Sequence, residues 1–488
     1  MIDVNVLVGG SPRVAPAEEY SMQAAARELR GHGAQAALVA SRTSASYRVE
    51  LGNDLVLRAA GIDDGLNLYP VASLNPVQSL DYQSELDRVV ASGAVALRLF
   101  PDVQGWPVGA VNLAPLRGKR PLLLPVTRFG DAADIGAATE GLDVPVVLLG
   151  AHYTQLADCL AALERWPHLY LETSRLAQFR GVDTTVRRVG AQRLLFGSGA
   201  PQRPIQAALN AVLTADISAH ERDAILGGNA SRILGLPQPA PVTLEPARGI
   251  GLIDVHGHVG ALALPILPID PRDYAVLAAR FGIQQTVASS LRAIVDNAAI
   301  GNAEAYAAAA CNDALCAYVV VNPNDLAGSC EAMDEAYRHE RAIGAKLHCS
   351  YTGQPTSGSA CVALLDEVAQ RGRPLKIHVD GPVWDAALLQ VATDYPTWKV
   401  IVAHAGPGAP SREAARLVRS AENVYVELST SFPDLPVVRE VVRAAGPDRL
   451  LFGSDGPLLD PAYVLGIYAD ANADLSATPH VAREVFGL

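Results

Sequence analysis

The phrase IDVHGH sets His256 and His258 two residues apart behind an apolar run. On a strand, residues i and i+2 point to the same side, so both rings can reach one ion. Further along, His378 closes KIHVDG, His404 closes VAHAG, and Asp455 stands in LLFGSDGP. Lys346 and His348 end a fourth such stretch, AKLH. Each polar residue follows an apolar run, where a strand gives way to a loop. Neutral imidazoles with a carboxylate form a mixed nitrogen–oxygen site suited to Zn²⁺ or a similar divalent transition metal. Such an ion lowers the pKa of a coordinated water to about 7 and polarises a carbonyl. An aspartate beside it can serve as general base. A lone His-x-His is weak evidence, and a lone Asp in GSDGP is commonly a turn residue. The joint pattern carries the expectation.

The elements that would bring these residues together follow from the spacing of apolar runs. Strands are expected at 252–255, 285–290, 316–321, 344–348, 374–378, 399–403, 423–428 and 449–453. They are aliphatic or β-branched and mostly free of charge, as strands buried on both faces are. Helices are expected between them, for example over 271–282 and over 361–372, the latter ending at Gly372. Eight β-then-α units within 250–488 fit one (β/α)₈ barrel, whose chemistry sits where strands end and loops begin. A doubly wound open sheet is disfavoured, because no glycine-rich phosphate loop follows the first strand.

The pattern is written twice. MIDVNVLVGG at the start echoes LIDVHGHVG at 252–260, without its histidines. LVASRT (38–43) faces ASSLRA (288–293), which sets Arg42 opposite Arg292. LYPVASLNP (68–76) resembles AYVVVNP (317–323), and ALRLFP (96–101) resembles AKLHCS (345–350). PLLLPV (121–126) matches PLKIHV (374–379), LYLETS (169–174) matches VYVELS (424–429), and RLLFGSGAP (193–201) matches RLLFGSDGP (449–457). ASRILGL (230–236) matches AREVFGL (482–488). The matches are collinear, so the chain is expected to be α/β, with two tandem (β/α)₈ TIM-like barrels. The domains are 1–236 and 250–488, and the proline-rich stretch 237–249 is the linker. In the first copy His256 becomes Asn5, His258 becomes Leu7, His378 becomes Pro125 and Asp455 becomes Gly199. His152 falls near the strand-six position without aligning cleanly with His404. The first barrel therefore reads as a fold kept without metal chemistry.

Half of the residues are hydrophobic, 18% are charged and the net charge is −12. An acidic chain argues against nucleic acid or an anionic membrane surface as partner. No apolar run approaches the roughly 18 residues that span a bilayer, and no secretory signal opens the chain. The six cysteines are scattered, as reduced thiols of a cytoplasmic protein would be.

Taken together, IDVHGH, AKLH, KIHVDG, VAHAG and LLFGSDGP resemble the amidohydrolase superfamily, in its amidohydrolase-related branch of metal-dependent hydrolases, lactonases and decarboxylases. The resemblance covers 250–488 and, in degenerate form, 1–236. It implies that His256, His258, His378 and Asp455 bind one divalent ion, Zn first, with Mn and Fe as alternatives. It implies that Asp455 and His404 are catalytic. Two-metal members carry a bridging carboxylated lysine on strand four. Lys346 lies in that neighbourhood, but KLH is closer to the one-metal branch. The implied reaction is attack of activated water on an amide, lactone or similar carbonyl of a small molecule. Non-oxidative decarboxylation of a small carboxylic acid at the same site is the alternative. His348, Lys346, Arg292, Trp384 and Phe432 are candidate substrate contacts, Arg292 as a bidentate carboxylate clamp or else a surface ion pair. A non-enzymatic ligand-binding role is a third reading, chiefly for the first barrel. That barrel is expected to cover the second as an internal pseudo-dimer, and a homo-oligomer remains open.

Overall fold

The computed structural model describes residues 1–10, 17–379, 384–406 and 408–488. The chain divides into two compact units, Met1–Pro246 and Ala247–Leu488. The first contains β1 (Ile2–Val8), β2 (Ala36–Ser41), β3 (Gly61–Asp63), β4 (Leu66–Leu74), β5 (Ala96–Leu99), β6 (Leu122–Pro125), β7 (Val146–Leu149), β8 (Leu169–Glu172) and β9 (Leu194–Leu195). All but β3 run parallel and neighbour one another in chain order; β3 folds back antiparallel on β4. Backbone hydrogen bonds from Val4 N to Phe196 O and from Leu7 N to Ala200 O, both 3.0 Å, close the ring.

The second unit contains β10 (Leu252–Val259), β11 (Ile283–Ser290), β12 (Leu315–Val321), β13 (Ala342–His348), β14 (Leu375–His378), β15 (Val400–Val402) and β16 (Val424–Val426), again parallel and in order. Residues 450–456 close this ring, bridging Val426 on one side and Asp254 and Gly257 on the other. The chain thus folds as two tandem TIM-like barrels. The eighth element of the second is expected as a strand over 449–453. It pairs only through isolated bridges, because Asp455 adopts a left-handed φ of 59° that interrupts a regular ladder. The helix Pro271–Ala279 is capped by the Asp270 side chain, and the helix Ser359–Gln370 stops before Gly372, whose φ is +68°.

The strand faces that meet inside the second ring are apolar. Val255, Val287, Tyr318, Ile401, Tyr425 and Leu451 pack with Val485 and Phe486 of the last helix. Ile2, Val4, Leu38, Val71, Leu123, Val147 and Leu195 build the matching core of the first. Each such side chain contributes about 1.5–3 kcal/mol when buried.

Both rings are locked at the seam between first and eighth elements by the same buried contact. Asp254 Oδ1 accepts from His256 N and Ser454 N, both 2.9 Å, and its Oδ2 accepts from Ser454 Oγ at 2.5 Å. Asp3 repeats this with Asn5 N at 3.0 Å, Ser198 N at 3.1 Å and Ser198 Oγ at 2.5 Å. Burial pushes both carboxyls up to about 7, against the lowering effect of their serine bonds.

The registers correct two of the sequence pairings. Val8 lies level with Ser41 and Val259 with Ser290, so Arg42 corresponds to Leu291 and Thr43 to Arg292. Arg98 lies level with Leu123 and Lys346 with Lys376, so Arg98 corresponds to Lys346, one residue away from the match of ALRLFP with AKLHCS. The irregular stretch after the first barrel's last helix packs back on that barrel: Ala240 exchanges two hydrogen bonds with the Gln35 side chain, at 2.7 and 2.8 Å.

Ser198→Ala removes the hydroxyl that Asp3 Oδ2 accepts from and that Ala200 N donates to. The expected cost is about 1–3 kcal/mol. Urea unfolding of the full chain checks it, and an unchanged midpoint would contradict the role given to the seam.

Candidate metal centre

His256 and His258 are carried by β10 and are 2% and 6% exposed. The glycine between them is required sterically: a Cβ on Gly257 would stand 2.2 Å from Thr286 Cγ2 of β11. With the strand drawn this close, both rings turn to the barrel mouth. His258 Nε2 lies 2.9 Å from Asp455 Oδ1, and its Nδ1 lies 3.1 Å from Ser289 Oγ. His256 Nε2 lies 3.4 Å from the same Asp455 oxygen and 3.0 Å from Lys346 Nζ. One donor atom each from His256, His258 and Asp455 lie within 4.8 Å of one another, a two-nitrogen, one-oxygen set that fits a divalent transition metal.

His404 follows β15 and Asp455 lies in the eighth element, and both have left-handed backbones, with φ of 58° and 59°. Non-glycine residues rarely adopt this conformation, and it concentrates at functional positions. The register makes Gly150, φ 63°, the counterpart of His404, and Gly199, φ 77°, the counterpart of Asp455. Where the first barrel has no side chain to present, glycine makes the same turn. His152, two residues beyond Gly150, instead caps a short 3-10 turn through Thr154 N.

His378, expected as a ligand, ends β14 with its Nδ1 3.0 Å from His404 Nε2. Among the described residues, neither three-residue donor group includes it. The groups are His256, His258 and Asp455, and His256, His404 and Glu427. His348 stacks on His378, centroids 3.9 Å apart, and meets Tyr351 edge-on. Five imidazoles and the Lys346 ammonium therefore share one mouth.

Glu427 is the site residue that sequence reasoning missed. It follows β16 and is fully buried. Its Oε1 accepts from Lys376 Nζ at 3.0 Å and His404 N at 2.8 Å, and lies 2.8 Å from His256 Nδ1. Its Oε2 accepts from Ser429 N at 2.7 Å. A carboxylate on Nδ1 leaves the His256 Nε2 lone pair facing the mouth, the usual support of a metal-ligating histidine. The signal was present: the matched LYLETS and VYVELS each keep a glutamate after an apolar strand. In the first barrel, Glu172 Oε1 accepts from Gly150 N at 2.5 Å, as Glu427 does from His404 N.

Burial dominates the electrostatics. It pushes His256, His258 and His378 below the ordinary imidazole range and His348 down to about 2, so these rings are neutral donors. Burial, then Lys376, lowers Lys346 to about 7. Burial alone would raise Glu427 and Asp455, but Lys376 and His404 for the first, and the His258 hydrogen bond for the second, hold both below the usual carboxylate range.

The remaining expected contacts fall elsewhere. Arg292 is not brought to the histidines; it pairs with Asp296 at 3.0 Å and Glu304 at 2.8 Å on its own side of the mouth. Phe432 is 48% exposed. Trp384 opens the helix Trp384–Asp394, and its side chain lies outside the described residues.

The family profile described as amidohydrolase matches residues 133–236 and 253–487. The chain belongs to the amidohydrolase family. Both hydrolysis and decarboxylation fit that membership. No curated protein sequence matches the chain. Among solved structures, a dihydroxybenzoic acid decarboxylase from Polaromonas sp. JS666, with bound manganese and 2-nitroresorcinol, is 14% identical at a TM-score of 0.40, covering 49% of this chain and 98% of its own. A 5-carboxyvanillate decarboxylase from Sphingomonas paucimobilis is 12% identical at 0.40, covering 49% and 100%. A probable 2-pyrone-4,6-dicarboxylic acid hydrolase from Acinetobacter baumannii, with citric acid bound, is 15% identical at 0.38, covering 49% and 100%. At these scores the likenesses decide nothing about this amidohydrolase's own substrate.

Removing Glu427 leaves the Lys376 ammonium buried without its carboxylate. Glu427→Ala is expected to cost about 3–5 kcal/mol in stability. Chemical denaturation measures this, and a loss below about 1 kcal/mol would show that the pair is not what holds these elements together.

Proposed function

We propose that the second barrel of this amidohydrolase uses one divalent metal ion to hydrolyse an amide, lactone or similar carbonyl of a small molecule. The supporting observation is the convergence of His256 Nε2 and His258 Nε2 on Asp455 Oδ1 at 3.4 and 2.9 Å. These three residues would hold the ion, and His378, 3.0 Å from His404 Nε2, is the fourth ligand we propose. A bound ion supplies polarisation of a carbonyl oxygen and acidification of water. Zinc is the ion we propose for this donor set. We propose a cytoplasmic location, from the scattered spacing of the cysteines in the sequence.

Asp455, held ionised, takes a proton from the attacking water and returns it to the leaving group. His404 is fixed by its Nδ1, which donates to Ser429 O, so its Nε2 is aimed into the mouth. There it accepts a hydrogen bond from the water and orients it. Lys346 Nζ and the His348 ring line the same mouth and bind substrate oxygens. The metal chemistry is confined to this barrel, because Asn5, Leu7, Pro125 and Gly199 replace the donors in the first. Decarboxylation at the same residues would need a carboxylate clamp other than Arg292, whose guanidinium is committed to Asp296 and Glu304.

Elemental analysis of the full chain tests the assignment. About one equivalent of metal is expected in the parent and none in the His256→Ala, His258→Ala double variant. Two equivalents in the parent would overturn the one-metal reading. A substrate panel scored for ring or amide opening and, separately, for CO₂ release then distinguishes hydrolysis from decarboxylation.

A further inference from the structure

The first barrel lacks the donor residues of the second and carries guanidinium groups at other positions of the same end. Arg98, at the end of β5, takes the place of Lys346. Its Nη1 donates to Asn5 Oδ1 at 3.0 Å, as Lys346 Nζ meets His256 in the other barrel. The side chain is therefore aimed at the centre of the mouth. Arg98 is only 8% exposed, and its Nε has no hydrogen-bond partner among the described residues. No ion pair to it is found among them either. Its guanidinium lies over the Phe100 ring, 5.1 Å from the centroid, which offsets only part of the cost of burying a charge.

Three more arginines follow the ends of β2, β8 and β9, at the same end of the barrel. Arg42 replaces Leu291; its Nε donates to Gly9 O at 3.1 Å and its Nη2 to Gln202 Oε1 at 3.0 Å. Arg175 follows the Ser174 that matches Ser429, so it replaces Thr430, and its Nη1 donates to Gly150 O at 3.3 Å. Arg203 replaces Leu459: Arg203 N bonds to Gly199 O as Leu459 N bonds to Asp455 O. The Arg203 chain crosses the place of the missing aspartate, since a Cβ on Gly199 would stand 2.7 Å from Arg203 Cδ. Two apolar residues and a threonine in one barrel are thus matched by three guanidiniums in the other. Asp102 and, more weakly, Glu172 act on Arg98 from beyond ion-pair distance, and Glu172 is already engaged by Asn5 Nδ2, Gly150 N, Ser174 N and Ser174 Oγ.

We propose that the mouth of the first barrel binds a small oxyanion, a carboxylate or a phosphate group, gripped by Arg98 together with Arg42, Arg175 and Arg203. Guanidinium forks match such groups with paired, charge-assisted hydrogen bonds. The site is independent of the metal reading of the second barrel and needs no ion there. It gives the metal-free barrel a ligand of its own.

The test is calorimetric titration of the full-length protein, metal-loaded and metal-stripped, with inorganic phosphate and separately with citrate. Saturable binding of one or both probes that survives metal removal is expected, and the preferred probe identifies the source of the oxyanion. Arg203→Met, at a half-buried position, should weaken binding about tenfold, the worth of one charge-assisted hydrogen bond. Arg98→Met should abolish binding and leave the melting temperature of the unliganded protein unchanged or raised, because Asp102 and Glu172 offset only part of the cost of burying this charge. If Arg98→Met lowers the melting temperature and leaves binding intact, Arg98 is structural and the proposal fails. It also fails if neither probe saturates, or if binding vanishes with the metal and is untouched by Arg203→Met, since the ligand then belongs to the second barrel.

Discussion

The seam between the first and eighth elements governs both barrels. A β/α ring of eight elements must close, and here the closing segment is too short and irregular to do so by a strand ladder alone. The carboxyl of Asp254 makes up the shortfall by accepting from Ser454 N, Ser454 Oγ and His256 N. That geometry fixes where His256, His258 and Asp455 stand, because two of them closely follow the clasped aspartate in sequence and the third follows the clasped serine. Asp3 and Ser198 make the same closure in the first barrel, where no donor depends on it. The clasp is therefore a requirement of the fold, and the candidate metal centre is built beside it.

Glu427 plays the complementary part on the other side of the mouth. One buried carboxylate ties β10, β14 and the turn after β15 together through His256, Lys376 and the His404 amide. A buried ion pair is a poor source of stability by itself, since desolvation offsets most of the Coulomb attraction. Its value lies in geometry: the bond to His256 Nδ1 sets the tautomer and the aim of Nε2. Glu172 keeps the scaffold half of that role, binding the Gly150 amide and Asn5 where no imidazole remains.

The two mouths show how two barrels of like topology differ. Left-handed backbone is retained at both matched positions, carried by His404 and Asp455 in one barrel and by glycine in the other. Retaining strain on non-glycine residues is a cost accepted where the side chain is used. The first barrel drops that cost together with the donors, and gathers arginines at positions that are apolar or neutral in the second. One mouth gathers neutral imidazoles around a carboxylate, and the other gathers guanidinium groups.

By itself the sequence determined the fold class and most of the polar residues of the mouth. Buried parallel strands read as uninterrupted apolar runs, and the polar residue that ends each run marks the catalytic face. The two-barrel organisation was legible for the same reason, since strand ends and closing turns tolerate few residue types. Tertiary structure alone decided three things. Register set Arg42 against Leu291 and Arg98 against Lys346, which string matching missed by one residue, because a one-residue shift keeps the hydrophobic pattern of an all-buried strand nearly unchanged. Side-chain direction took Arg292 to Asp296 and Glu304 and placed His378 against His404 instead of in the Asp455 group. Partnership revealed Glu427: a glutamate after an apolar strand reads as a solvated end until the structure shows a lysine, an imidazole and two amides meeting on it, from segments far apart in the chain.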